Sequence, residues 1–538
     1  MKKKAHRVHI KDFGAEDAVL SPLESADLAS LPGEKNLPNF REMKKEVKEK
    51  YDFSLDGFSA LNLPLPRTKA EEEAIVKGFL SGLEKLFQKE NNWAFLLPTM
   101  LSNEYCMQCN TCNEACHIFT ESGRKDIYRP NYRPEVLRRI IRRYFSKSGK
   151  LLRKWAGADI DLNWRVVYHL AELAYRCSIC RRCASVCPMG VDNALISREL
   201  RKIFSQEMGI APENVHKSGT IQHLKTGSST GMSPPAFKDN IEFIEDLIEE
   251  KIGRRITIPV DKKGADILLL HNAGEYMAWP ENPAAFAILF EAAGINWTLS
   301  SEVMGYEGVN YGVWYDDVQF ARIAFAQVQA AKNLGVKKIV IGECGHSTKA
   351  LITIADRVLV GDMAIPREPC LPLLEQFVTS GAIKFDSSKN NFPVTLHDPC
   401  NMVRLMGIIS PQRTILKHIV AAGQFREMPN AGTSNYCCGG GSGFAIMNSQ
   451  NFPEWRNNVS SRMKARQVLE AFKDVLDPSI PKYYCAPCSN CKGSARDALI
   501  GHFGFKDKYN IIYGGMVELM VNAMVDVSKP FIVWDDEF

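Results

Sequence analysis

Sixteen cysteines lie in this chain of 538 residues, and eight of them fall in two runs of one spacing. The first is Cys106-x2-Cys109-x2-Cys112-x3-Cys116, the second Cys177-x2-Cys180-x2-Cys183-x3-Cys187-Pro188. A 4Fe–4S cubane needs four converging thiolates. Three at x2 spacing wrap one corner, while the fourth points away and ligates the other cluster in two-cluster proteins. The spacing therefore predicts one cubane on Cys106, Cys109, Cys112 and Cys187, and a second on Cys177, Cys180, Cys183 and Cys116. Zinc prefers separated CxxC pairs in tetrahedral geometry, which two complete four-cysteine runs fit poorly.

A second set follows: Cys400, then Cys437-Cys438-Gly439, then Cys485-x2-Cys488-x2-Cys491. Adjacent cysteines close only a strained ring on themselves. With a strand-end cysteine before them, a glycine-rich turn (Gly439–Gly443) beside them and a CxxC after, they point to a metal cluster. Cys400, the adjacent pair and one CxxC make five cysteines of these six, more than one cubane requires. Cys370 has no partner in either pattern and reads as a small buried apolar residue. Proton-coupled redox chemistry at such a site needs a nearby acid. His346 and His397, at strand ends, are candidates, and either also reads as a hydrogen-bonded structural histidine. Asp398 is positioned to cap the helix after Cys400.

The elements that must carry these cysteines follow from pattern. Residues 1–97 read as an N-terminal helical extension broken by Leu63–Pro64–Leu65–Pro66, with one amphipathic helix from about Lys69 to Lys89. Residues 98–205 hold both runs, joined by helical pattern. Val136, Leu137, Ile140, Ile141 and Tyr144 form an apolar stripe, with Arg138, Arg139, Arg142 and Arg143 opposite. Residues 206–262 read as a linker with a helix near Ile241–Glu249. From Ala265 onward short apolar strands (Ile267–His271, Lys338–Ile341, Val394–His397, Lys482–Tyr484) alternate with helices (Ala284–Ala293, Val318–Leu334, Pro372–Ser380), which argues for parallel α/β units. Two domains are expected there, 263–389 and 390–538. The fold class is thus α + α/β.

Composition is that of a soluble globular protein, 45% hydrophobic and 24% charged. The start, MKKKAHRVHIKDFGAED, lacks the apolar region of a secretory signal, and no window reaches the length of a membrane span. Without export, clustered cysteines read as metal ligands or redox thiols. The net charge of +5 is uneven. From Arg124 to Lys154 twelve Lys/Arg meet two acidic residues, a local +10 that leaves the remainder about five charges negative. That stretch reads as a solvated helix face, or as attraction to an anionic membrane surface or an acidic partner. Nucleic acid is disfavoured, since no recognition motif accompanies the charge. No G-x-G-x-x-G opens a strand–helix unit, so neither nucleotide nor flavin is expected.

The gap between the cysteine runs resembles that of the all-helical ferredoxin domain of succinate dehydrogenase iron–sulfur subunits, although His117 stands where proline usually follows the fourth cysteine. The C-x36-CCG…CxxC pattern resembles the CCG domain of heterodisulfide reductases, which normally occurs twice. The other copy is legible as Leu269–Gly274 against Thr395–Cys400. Tyr306-Glu307-Gly308 then stands where the family has CCG, with Cys344, Gly345, His346 and Ser347 at CxxC spacing. Of its ligands only Cys344 survives. Aligning Lys338-Ile339-Val340 with Lys482-Tyr483-Tyr484 favours Cys488/Cys491 as the CxxC, whereas Cys485/Cys488 lies closer to family spacing, so Cys485, Cys488 and Cys491 all stay candidates.

The order of parts resembles the HdrD-type subunits of heterodisulfide reductases and, more closely, the DsrK-type iron–sulfur subunits of DsrMKJOP membrane complexes. That resemblance implies two cubane 4Fe–4S clusters plus one CCG-type 4Fe–4S cluster of noncubane arrangement. The latter would be held by Cys400, Cys437, Cys438 and the CxxC, with His397 as a catalytic candidate. It also implies a membrane cytochrome b partner of the DsrM type, the other DsrMKJOP subunits and a small DsrC-like sulfur carrier. The expected place is peripheral, on the cytoplasmic side of the membrane. The substrate would be a disulfide or trisulfide on the carrier. Splitting S–S takes two electrons, so the cluster must hold a half-reduced state. The same architecture also serves as the iron–sulfur relay of glycolate, lactate and glycerol-3-phosphate oxidoreductases, and a pure electron-transfer scaffold is a third reading.

Overall fold

The computed structural model describes residues 8–16, 19–35, 40, 53–449 and 451–534. The chain forms two compact units, one from residues 1–214, 314–316 and 439–464, the other from 215–313, 317–438 and 465–538.

The first unit is helical. The amphipathic helix runs Lys69–Leu86, started by the Thr68 side chain accepting from Glu71 N–H, and it buries Phe79, Leu83 and Leu86. Asn163 and Asp192 cap Trp164–Tyr175 and Asn193–Met208 in the same way, and left-handed Gly209 ends the latter. Asn193–Met208 packs against Lys69–Leu86, Leu96–Glu104 and Trp164–Tyr175. The first contact is close, since a Cβ on Gly82 would lie 2.6 Å from Ile203 Cγ2.

The basic helix, Tyr132–Phe145, departs from the sequence reading. Val136, Leu137 and Ile140 are buried as expected, but so is Arg138, which donates to Asn103 O at 2.9 Å and pairs with Glu135. Arg139 pairs with Glu135 and Asp159, and Arg143 with Asp161. Glu135 within the helix and Asp159 and Asp161 after it thus pair three of its arginines.

Residues 206–262 also differ from expectation. Instead of a linker they hold Gln222–Thr226 and the long helix Pro234–Ile252, capped by Ser233 and closed by Gly253. Phe237, Ile241, Ile244 and Ile248 enter the second unit's core beside Phe286 and Phe290. Pro234, which reads as a breaker, occupies the first helical turn, where its missing N–H costs nothing.

The second unit contains two four-stranded sheets of one design. The first orders β1 (Ile267–Leu270), β2 (Trp297–Thr298), β3 (Lys338–Ile341) and β4 (Arg367–Pro369) as β2-β1-β3-β4. The second orders β5 (Val394–Leu396), β6 (Phe425–Arg426), β7 (Lys482–Cys485) and β8 (Ile511–Gly514) as β6-β5-β7-β8. Every pairing in both is parallel. Intervening helices Glu281–Ala292, Asp317–Leu334 and Cys370–Thr379 supply the crossovers and coverage that parallel strands require. One hydrophobic core joins both copies, from Ile267 and Phe290 to Leu396 and Met520.

The duplication extends to detail just beyond β3 and β7. Cys344 N–H bonds Gly342 O and Cys488 N–H bonds Ala486 O, each at 2.7 Å. Each cysteine then stands at the N-cap of a helix, Gly345–Thr348 or Ser489–Ser494, which continues as a π-helical turn.

Candidate functional site

In the first unit the eight cysteines sit in two loops, Cys106–Cys116 after the helix Leu96–Glu104 and Cys177–Cys187 after Trp164–Tyr175. Electrostatics sorts them. Burial, with Cys106, Cys109 and Cys187 adding to it, pushes the Cys112 thiol up to about 11. Burial pushes Cys116 up to about 12, with Cys180 and Cys177 adding to it. Cys183 is raised by burial, then by Asp192, Cys180, Cys177 and Cys116. The fourth cysteine of each run therefore lies among the first three of the other.

Both loops coil alike. Gln108 and Asn110 have φ of 56° and 63°, and at the equivalent positions Ile179 and Arg181 have 48° and 60°. A β-branched residue in the left-handed region is strained. It persists where the surroundings dictate the backbone, as when a loop must wrap a rigid body. Backbone N–H groups point at sulfur, Ile179 N at Cys177 Sγ (3.4 Å) and Val191 N at Cys187 Sγ (3.3 Å). Four crowded thiols, N–H donors on sulfur and tightly coiled loops fit an iron–sulfur cluster at each quartet. His117 opens the helix His117–Glu121 and reaches Ser178 Oγ at 3.4 Å, so it ties one loop to the other.

In the second unit four thiols of the later set form a connected, buried group with Cys344. Cys437 contacts Cys438, Cys438 contacts Cys491, Cys491 contacts Cys488, and Cys488 contacts Cys344. Two histidines lie beside it. Ligand atoms of Cys344, His346 and Cys488 lie within 4.8 Å of one another, as do those of His397, Cys438 and Cys491. Hydrogen bonds from Cys344, Cys491 and His346 hold the Cys488 thiol well below its ordinary value. Asn490 Nδ2 meets His346 Nδ1 at 3.1 Å, and Asn435 Nδ2 meets His397 Nδ1 at 3.4 Å. Cys400 begins the helix Cys400–Leu405, which packs against Gly345–Thr348. Asp398 does not cap it. Its carboxylate takes both Arg413 N–H donors at 2.8 Å and the Gly432 N–H.

Two sequence readings change here. Cys485 ends β7 with its side chain in the apolar core alongside Leu396 and Ile512, so Cys488 and Cys491 are the CxxC that enters the thiol group. Cys344, read as a remnant, lies in that group too. Cys370 is a core residue, as expected.

The first copy's ligand positions are filled by protein. Glu307, aligned with Cys438, accepts from Ser229 N–H (2.8 Å) and Ala273 N–H (3.1 Å) and lies 3.8 Å from His223 Nδ1. Burial would raise its carboxyl, but His223 and those N–H donors outweigh it and hold it low. Ser347, aligned with Cys491, donates to Asn310 Oδ1 at 2.8 Å. A carboxylate–imidazole network thus occupies the space where thiols would meet iron.

Comparison with known proteins agrees with this division. A family model described as a 4Fe-4S dicluster domain matches residues 102–191, and one described as a cysteine-rich domain (CCG) matches 394–494. The chain is 27% identical to an Hdr-like menaquinol oxidoreductase iron-sulfur subunit 2 of Archaeoglobus fulgidus, over 91% of this chain and 93% of that one. It is 27% identical to the Hdr-like menaquinol oxidoreductase iron-sulfur subunit of Archaeoglobus profundus, over 74% and 76%. Its identity to a subunit of the dihydromethanophenazine:CoB–CoM heterodisulfide reductase of Methanosarcina acetivorans is 24%, over 71% and 87%.

A dicluster ferredoxin unit in one chain with a cysteine-rich α/β pair defines an electron-transferring iron–sulfur oxidoreductase of the heterodisulfide reductase type. Within that class, the chain is HdrD-like and DsrK-like and carries the CCG domain. No helix among its described residues is long and apolar enough to cross a membrane.

Proposed function

We propose that this chain is the iron–sulfur subunit of a membrane-associated complex and passes electrons between a membrane cytochrome b/quinone pool and a disulfide or trisulfide on a DsrC-like carrier. The observation that carries this reading is the buried run of thiols from Cys437 to Cys488, with His397 beside Cys438 and Cys491 and His346 beside Cys488. The relatives named as menaquinol oxidoreductase subunits support the quinol side, and the heterodisulfide reductase relative supports the sulfur side. The eight ferredoxin cysteines would hold two cubanes. Cys400, Cys437, Cys438, Cys488 and Cys491 would hold the CCG cluster.

Iron–sulfur clusters supply one-electron steps, whereas opening a disulfide takes two electrons and two protons and yields two thiols. The chain's own part is to bury the reacting sulfur among thiols and to keep protons at hand. His397, held by Asn435, and His346, held by Asn490, are placed to protonate leaving sulfur. A DsrM-like partner would fix the chain to the cytoplasmic face of the membrane.

EPR of the anaerobic, oxidised full chain tests the reading. Addition of substrate thiol should produce an S = 1/2 signal that vanishes in Cys438→Ser. A signal that survives this substitution, or no signal from an iron-replete protein, would favour the relay role known in glycolate-type oxidoreductases.

A further inference from the structure

Cys344 has no cluster of its own to serve. In its own copy Tyr306 and Glu307 replace the cysteine pair, Ser347 replaces the second CxxC cysteine, and hydrogen bonds fill the space between them. Yet Cys344 is fully buried and sits within 4.8 Å of Cys488 and His346, measured between ligand atoms.

The duplication explains the meeting. Cys344 and Cys488 are equivalent residues of the two copies, and so are His346 and Asn490; each pair is in contact. The thiol group of the second copy therefore ends where the equivalent turns of the two copies meet, and the first copy's CxxC position joins it there.

The surroundings of Cys344 are those of a ligand. Ser347 N–H points at its Sγ at 3.5 Å and Asn310 Nδ2 at 3.7 Å. Such donors stabilise a metal-bound thiolate and repeat what Ile179 and Val191 do in the ferredoxin loops. The two structural cysteines, Cys370 and Cys485, lie instead in the apolar core.

We propose that the iron–sulfur site of the second copy is built from both copies, with Cys344 as an additional thiolate ligand and His346, oriented by Asn490, beside it. This rests on the reading that Cys437, Cys438, Cys488 and Cys491 hold an iron–sulfur cluster. Coordination replaces the Cys344 thiol proton by iron, and the proton leaves to solvent.

The test compares Cys344→Ser and Cys438→Ser in the full chain, purified anaerobically, by iron and zinc content and by EPR and Mössbauer spectra. Cys438→Ser should lose about a third of the bound iron, one cluster of three, with the cubane signals retained. Cys344→Ser should either lose iron in the same proportion or shift the g values of the thiol-dependent signal, again with cubane signals intact. Loss in Cys438→Ser with an unchanged spectrum and iron content in Cys344→Ser overturns the proposal while leaving the proposed function standing. No change in either variant removes both. If Cys344→Ser does not fold, anomalous diffraction at the iron edge from wild-type crystals decides: iron within bonding distance of Cys344 Sγ supports the proposal, and zinc or no metal there refutes it.

Discussion

Glu275→Gln tests whether the first copy survives as the support of the second. Lys492, the residue after Cys491, is buried with its Nζ 2.7 Å from Glu275 Oε1, and both side chains have at most 1% of their surface exposed. The approach is oblique, so charge rather than an aligned hydrogen bond holds the pair. Burial alone would raise the Glu275 carboxyl, yet Lys492 and His271 outweigh it and keep it below its ordinary value. Burial would likewise lower Lys492, yet Glu275, Glu518 and Glu343 raise it. Replacing one carboxylate by an amide of the same shape leaves a buried cation short of its nearest counter-charge. Breaking such a pair costs about 3–5 kcal/mol. Because Glu518 still faces Lys492, the lower end, about 3 kcal/mol, is expected, a factor of about 100 in the unfolding equilibrium. Urea unfolding of the anaerobic protein measures it, and a cycle with Lys492→Met isolates the pair. Glu275→Gln, Lys492→Met together should recover most of the loss. The sign with pH follows from the shifts. A depressed carboxyl gives stability that is lost as pH falls below about 4.5, and a raised amine gives stability that is lost as pH rises above about 10.5, so the deficit is largest between them. A deficit below about 0.5 kcal/mol at pH 7, or no coupling in the cycle, refutes the reasoning.

Cys485→Ala should keep iron content and the thiol-dependent EPR signal and cost about 1 kcal/mol of packing, whereas Cys491→Ser should lose that signal; loss in Cys485→Ala would restore the alternative CxxC. Arg176→Met should lower stability by about 3–5 kcal/mol, because Arg176 reaches Asp56 at 3.2 Å and Glu172 at 2.8 Å with all three buried. Burial already pushes Glu172 up to about 7, so its unfolded form releases the proton first and the deficit should widen from pH 5 to pH 8. Thermal scans at both pH values check this, and an equal or smaller deficit at pH 8 counts against it.

The parts of the fold and site legible in the sequence are those with a short repeat. The ferredoxin quartets follow from a three-residue spacing, and the structure sorts the thiols as that spacing implies. Strands β1, β3, β5 and β7 were visible as apolar runs at the centres of their sheets. Their outer neighbours β2 and β6, two residues each, carry too little periodicity to register. The helix Pro234–Ile252 was legible only near Ile241–Glu249, its first turns being hidden by two prolines, although proline after a serine cap is itself a start signal. Arg138 was placed on the wrong face because a helical wheel counts charge as solvent-seeking and cannot see a carbonyl such as Asn103 O waiting for it.

The choice between Cys485 and Cys491 shows a different limit. Counting from Cys438 favoured Cys485, and aligning the copies favoured Cys491. Chain spacing says how far a ligand lies along the backbone but not on which side of a strand it falls. Cys485 still belongs to β7 and pairs in register with Leu396, so its side chain is committed to the core. Cys488 lies past the strand end, where the chain turns into the next helix and thiols can converge. The internal alignment carried that information because the first copy keeps the same turn with a single cysteine in it. Tyr306, Glu307 and Ser347 stand at that copy's ligand positions, while the turn at Cys344, the Lys492–Glu275 pair and the shared core hold the copy against the second. The buried thiol group of the second copy thereby ends at a turn that belongs to the first.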